Sequence, residues 1–170
     1  MSIKSCNQCA SLIREGAMTC DDCGVIYTGN LNISQLEELI RNGSLENLNV
    51  VSAMTDAANA YLNGEKGALQ DSEKGRRYYR IAAKNGSGEA LFMLGLTDIS
   101  GLEEIGDAYT QKEVSLINSG LRKLACGHHM GNSNCTFFLT SYIDDELWKG
   151  VWSNKINEMM RENTSELWDW

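Results

Sequence analysis

Four of the six cysteines stand in two pairs near the start of the chain, Cys6-Asn7-Gln8-Cys9 and Cys20-Asp21-Asp22-Cys23, with ten residues between the pairs. Each pair sets two sulfurs on one tight turn, and the ten intervening residues are long enough to fold back as a short hairpin. Cys6, Cys9, Cys20 and Cys23 then converge as four thiolates, the donor set of a tetrahedral Zn2+. A segment of about 25 residues cannot bury a core, so in this reading the metal supplies the folding energy. Four protein ligands leave no coordination position for a water, which makes the ion structural rather than catalytic, one per chain. The same residues also read as a redox-active CxxC or as a pair of disulfides.

Compartment bears on that choice. No stretch approaches the ~20 consecutive apolar residues of a membrane span. Met-Ser-Ile-Lys-Ser-Cys has no apolar core of a signal peptide. The expected location is the cytoplasm, away from membranes. Thiols stay reduced there, and paired cysteines serve as metal ligands more often than as disulfides. The 170 residues carry a net charge of −8. That balance disfavours a protein built to grip phosphate backbones, which needs Lys and Arg to release counterions. The chain has no proline, which suits packed helices and argues against a disordered linker.

The stretch CNQCASLIREGAMTCDDCG resembles the small zinc-ribbon family in its two knuckles and in the Gly-Ala before the second one. The resemblance spans residues 5–27. Ala10 stands where that family often has glycine. Further on, AANAYLNGEKGALQDSEKGRRYYRIAAKNGSGEALFMLGLTDISG, from Ala57 to Gly101, resembles the Sel-one-like repeat, a relative of the tetratricopeptide repeat. Tyr61, Gly64, Gly67, Asp71, Lys74, Tyr78, Tyr79, Ala82, Ala83, Gly86, Ala90, Leu94, Gly95 and Gly101 carry it. Gly75 departs from it, since the family prefers alanine there, and so does Thr97. The resemblance implies a mainly α fold, a short α-solenoid of stacked helical hairpins. With the ribbon at residues 1–30, the solenoid and a C-terminal capping helix take residues 31–170.

The residues support helices without the name. Asp71 is a good N-cap, Lys84 suits a last turn, and Gly86 is a stop. Tyr78, Ile81, Ala82 and Asn85 recur at helical spacing as one stripe. Ser34 and Glu37 form a capping-box pair, with Gly43 ending that helix. Residues 45–63 read as the next helix. One hairpin cannot cover its own apolar face, so hairpins must stack. The segment from Gly131 to Leu139 mirrors that from Gly86 to Leu94 at an offset of 45 residues, the extra length being expected in a loop over 102–112.

In that alignment Cys126 and Cys135 fall at small-residue positions and read as buried packing groups, with His128 and His129 in a turn. These four residues are also the candidates for a second metal site. Tyr142 to Arg161 reads as one long amphipathic helix, with Leu147, Trp148, Val151, Trp152, Ile156 and Met159 at helical spacing; capping the last hairpin is its expected role. Arg76, Arg77, Arg80 and Lys84 form the basic cluster, with Arg77, Arg80 and Lys84 on one face. That face reads as solvated, or as a docking surface for an acidic partner. Trp168 and Trp170 end the chain among acids, and tryptophan is an interface anchor.

No nucleophile–base motif, phosphate-binding glycine loop or paired-carboxylate signature is present. The first reading of function is a non-enzymatic protein–protein interaction module, an adaptor, inhibitor or immunity-type protein whose partner is another protein. A second is a nucleic-acid-binding regulator acting through the ribbon. The ribbon sets Lys4 and Arg14 against Glu15, Asp21 and Asp22, a poor balance for that task. A third is a small zinc enzyme using Cys126, His128, His129 and Cys135.

Overall fold

The computed structural model describes residues 4–6, 9–13, 17–100, 110–144 and 152–162. It is mainly helical, with seven α-helices among the described residues. The chain divides into two compact units, Met1–Asn85 and Gly86–Trp170.

In the first unit β1 (Lys4–Ser5) pairs antiparallel with β2 (Leu12–Ile13), Lys4 opposite Ile13 and Ser5 opposite Leu12. A single bridge joins Thr19 to Ile26. The pairing therefore spans each knuckle, whereas the sequence pointed to a hairpin between the two. A CxxC turn reverses the chain within a few residues, so its own flanks are the nearest strands to pair. A 3-10 turn over Thr28–Asn30 leads into α1 (Ile33–Asn42).

The expected capping box at Ser34 and Glu37 is corrected to one at Asn32 and Gln35. The Gln35 amide donates to Asn32 Oδ1, and the Asn32 amide donates to Gln35 Oε1, both at 3.0 Å. Asparagine caps as well as serine, and the earlier start has a tertiary reason. It buries Ile33 and Leu36 and lets the Ile33 amide donate to the Lys66 carbonyl at 3.0 Å.

Helix α2 (Leu48–Asn63) starts three residues later than expected, at an Asn47 cap whose side chain accepts the Asn49 amide. It ends at Gly64, φ +69°. Helix α3 (Ser72–Lys84) opens as expected on Asp71, whose Oδ1 accepts the Lys74 amide at 2.9 Å. The buried stripe of α3 is Gly75, Tyr79, Ala82 and Ala83, shifted from the expected Tyr78–Ile81–Ala82–Asn85. Gly75 sets that face: a β-carbon there would lie 2.8 Å from Leu62 Cγ and 3.0 Å from the Ala58 carbonyl oxygen. Two helices that close must meet at the glycine. Leu31, Ile33, Leu36, Ala53, Ala57, Ala60, Tyr61 and Ala68 form the core of this unit, with Ile26 packed against it.

The second unit holds α4 (Gly88–Ser100), α5 (Gln111–His129), α6 (Ser133–Asp144) and α7 (Trp152–Arg161). Helix α5 opens on a capping box of Thr110 and Glu113, so Gln111 and Lys112, expected in a loop, are helical. The helix runs through His128 and His129, which were expected in a turn. The turn needs its left-handed residue at Gly131, φ +81°, and basic side chains just before it suit the negative end of the helix.

Helices α4 and α5 run antiparallel and meet through Gly95 and Gly120, each facing the other's backbone carbonyl. The buried Lys123 on α5 reaches Asp98 on α4 at 2.6 Å and Ser119 Oγ at 2.6 Å. Cys126 and Cys135 are buried, as expected for packing groups. Tyr142–Asp144 belong to α6, so the helix expected from Tyr142 to Arg161 is two elements; Leu147, Trp148 and Val151 lie outside the described residues. Trp152, Ile156 and Met159 of α7 pack with Ile117, Leu121, Leu124, Ala125 and Leu139, covering the α5–α6 pair.

Candidate metal centre

The two knuckles have the same backbone design. The Cys6 carbonyl accepts the Ala10 amide and the Cys20 carbonyl accepts the Gly24 amide, each at 2.9 Å. The Cys6 amide donates to the Ser11 carbonyl, and the Cys20 amide to that of Val25, at 2.7 and 2.9 Å. The fifth residue of each turn is left-handed: Ala10 at φ +61° and Gly24 at φ +72°. The structure thus shows what Ala10 does in the glycine position of the first knuckle. It takes the glycine conformation, at an expected steric cost of about 1–2 kcal/mol.

These turns bring all four sulfurs within 4.8 Å of one another. Cys6 and Cys23 are 3.6 Å apart, as are Cys9 and Cys20. A disulfide requires about 2.05 Å. Four sulfurs about 2.3 Å from a tetrahedral ion would stand about 3.8 Å apart, so the cluster could hold a metal ion. Cys6 and Cys20 are buried and Cys9 and Cys23 exposed. The Cys9 sulfur lies 3.3 Å from Ser11 Oγ.

The backbone prepares one sulfur for ionisation. Amides of Cys23 and then Asp22 hold the Cys20 thiol below its usual value. Cys23 is pushed up to about 12: the Val25 amide alone would lower it, but partial loss of solvent around its sulfur and then the Cys9, Cys20 and Cys6 sulfurs outweigh that, although the residue as a whole is exposed. A bound cation would reverse this crowding of like charges.

Sequence reasoning missed Tyr27. Its hydroxyl oxygen is buried without a hydrogen-bond partner. Burial, and then the Cys6 and Cys20 sulfurs, keep the phenol protonated. An aromatic four residues after a knuckle reads equally well as core, so no sequence pattern signals this.

Sequence reasoning also missed a polar cluster joining three helices. Glu37 Oε1 accepts from Tyr61 Oη at 2.7 Å, Lys74 Nζ at 2.8 Å and Tyr78 Oη at 3.4 Å. Tyr61 and Tyr78 stack at 6.0 Å, and Lys74 lies 4.1 Å over the Tyr61 ring. These groups tie α1 to the α2–α3 pair.

Among the described residues, no other three His, Cys, Asp or Glu side chains converge as metal ligands. The two histidines named for a second site have partners of their own: His128 Nδ1 meets Thr136 Oγ1 at 2.7 Å, and His129 Nε2 meets the Met159 carbonyl at 3.0 Å. Cys135 lies against Gly127, and burial pushes its thiol up to about 12. Arg76, Arg77, Arg80 and Lys84 are exposed on α3. Trp168 and Trp170 lie outside the described residues, and no described helix is long and apolar enough to cross a membrane.

Comparison of the chain with family models, with curated proteins and with solved structures returns no match.

Proposed function

We propose that this chain is a non-enzymatic interaction module in which a structural Zn2+ on Cys6, Cys9, Cys20 and Cys23 fixes a ribbon to Sel-one-like helical hairpins. The observation that supports it is the four-sulfur cluster. Four thiolates within 4.8 Å of one another complete a tetrahedral shell and leave no position for a reacting water. A fixed ribbon and rigid hairpins would present a preorganised surface to a protein partner, which lowers the ordering cost of binding. Exposed Arg77, Arg80 and Lys84 form the basic part of that surface and fit an acidic partner. A reducing, cytoplasmic setting would keep the thiols available.

Elemental analysis of protein purified without chelator tests the metal. One zinc per chain is expected in the wild type and none in Cys20→Ser. Two ions per chain, one of them surviving Cys20→Ser, would overturn the proposal in favour of an enzyme. Crosslinking and capture from the native host tests the surface: a specific protein should be retained by the wild type and lost from Arg77→Glu/Arg80→Glu/Lys84→Glu. Equal retention by both would remove that face from the reading.

A further inference from the structure

We infer that peroxide converts the four-sulfur cluster into two disulfides that cross between the knuckles, Cys6–Cys23 and Cys9–Cys20, with Cys9 and Cys23 as the sites of attack. The chemistry rests on the placement of the sulfurs; its consequence, release of the ion, rests on the metal reading above. The Cys6 and Cys23 sulfurs stand 3.6 Å apart, as do those of Cys9 and Cys20. Each of these pairs joins one knuckle to the other, and each joins an exposed cysteine to a buried one. An oxidant reaches the exposed member. The buried member stands beside it as the resolving thiol, an arrangement that leads to a disulfide before further oxidation.

As metal ligands the four cysteines are thiolates. The Cys9 thiolate attacks one oxygen of hydrogen peroxide and breaks the O–O bond, giving a sulfenic acid and hydroxide. The Cys20 thiolate then attacks that sulfur and expels a second hydroxide, leaving the disulfide. The two sulfurs lose the two electrons that the peroxide gains. Cys23 and Cys6 repeat the sequence with another peroxide. The thiolate is the metal ligand and the disulfide is not, so the ion is released. Asp21 and Asp22 share the second turn, and an uncharged oxidant approaches them with less repulsion than an anionic one. Crossing is favoured over closure within a knuckle. Sulfurs 3.6 Å apart reach the disulfide distance of about 2.05 Å through side-chain rotation. The crossed bonds join residues 17 and 11 apart in sequence, and such loops restrict the unfolded chain more than the short ring of a CxxC. The backbone bonds from Cys6 to Ala10 and Ser11, and from Cys20 to Gly24 and Val25, can all stay in place.

The whole chain, loaded with zinc and treated with one hydrogen peroxide per sulfur pair, tests this. Trypsin cuts after Arg14, between the knuckles. A crossed bond therefore joins the Ser5–Arg14 peptide to the Glu15–Arg41 peptide, and a bond within a knuckle does not. Non-reducing mass spectrometry should show the joined peptides, and fragmentation should place Cys6 with Cys23 and Cys9 with Cys20. A chromogenic chelator should read one zinc released per chain. Buried Cys126 and Cys135 should stay reduced, as the internal control. Separate peptides each closed on itself, Cys6 paired with Cys20, or sulfinic acid in place of disulfides would overturn the inference and leave the metal reading intact. So would a chain that keeps its zinc and its thiols in excess peroxide. A chain that carries no zinc yet forms the crossed disulfides would overturn the metal reading and leave the pairing standing.

Discussion

Gly120→Ala should destabilise the second unit, against the rule that alanine improves a helix. On an open helix face the change is worth about 1 kcal/mol in alanine's favour. Here the new β-carbon would lie 2.5 Å from Ile99 Cγ1 and 2.8 Å from the Gly95 carbonyl oxygen. Overpacking costs about 1–3 kcal/mol. A carbonyl locked in its own helix cannot rotate away as a side chain can, so the upper half of that range applies. The net loss is then about 1–2 kcal/mol. With a urea m-value of about 2 kcal/mol/M, the midpoint falls by about 0.5–1 M, read by far-UV circular dichroism. Ser115→Ala, exposed on the same helix, is the control and should gain a few tenths of a kcal/mol. Gly95→Ala should resemble Gly120→Ala, and the double variant should cost less than the sum, since both force apart the same pair of helices. A Gly120→Ala protein as stable as the wild type, with the control behaving as stated, would refute the close-approach argument.

Ala10→Gly should strengthen the first knuckle by about 0.5–1 kcal/mol, the relief of left-handed strain less the entropy of a freer unfolded chain; Co2+ titration should read this as a two- to fivefold gain in affinity. Gly24→Ala, the same change in reverse at the second knuckle, should weaken it. Asn32→Ala should cost about 1 kcal/mol and Ser34→Ala almost nothing, in thermal unfolding of the two variants side by side. Glu37 is held below its usual value by Lys74 and then by Tyr61. A depressed carboxylate adds stability above its unfolded-state value of about 4.5 and loses it as pH falls through the folded value. Glu37→Gln should therefore cost up to about 1 kcal/mol at neutral pH, discounted for the exposure of Lys74, and little once the wild-type carboxylate is protonated; urea midpoints between pH 3 and 7 check it.

What sequence reading captured and missed divides along physical lines. Chain stops at Gly64 and Gly86 were readable because few residues accept the left-handed region they occupy. The sulfur cluster was readable because CxxC spacing limits where two sulfurs point. The start of α1 was not, because Asn32 and Ser34 are equally good caps and the choice falls to Ile33 and Lys66, 33 residues apart. Glu37 meets Lys74 and Tyr78 across 37 and 41 residues, a separation that leaves no local pattern. Thr110-Gln111-Lys112-Glu113 is itself a capping-box sequence, so the start of α5 was present in the sequence and was masked by the assumption that added length belongs in a loop.

The four-cysteine cluster and the helices of the first unit are not separable pieces. Lys66 Nζ donates to the Gly29 carbonyl at 2.6 Å, Thr28 Oγ1 meets Ser52 Oγ at 2.8 Å, and Asn30 Nδ2 donates to the Ala17 carbonyl at 2.8 Å. Leu31 and Ile33 continue the same chain into the α1–α2 core, with Ile26 against it. The sulfurs therefore anchor one end of a segment whose other end caps and buries α1. Helix α1 has only ten residues, too few to hold itself without packing. Removing the metal should loosen α1 as well as the knuckles: amide exchange over Ile33–Asn42 should quicken on adding chelator, while α4 to α6 keep their protection. Unchanged exchange in α1 would mean that Glu37, Lys74 and Tyr61 hold it alone, and that the two knuckles are attached to the helices rather than part of their support.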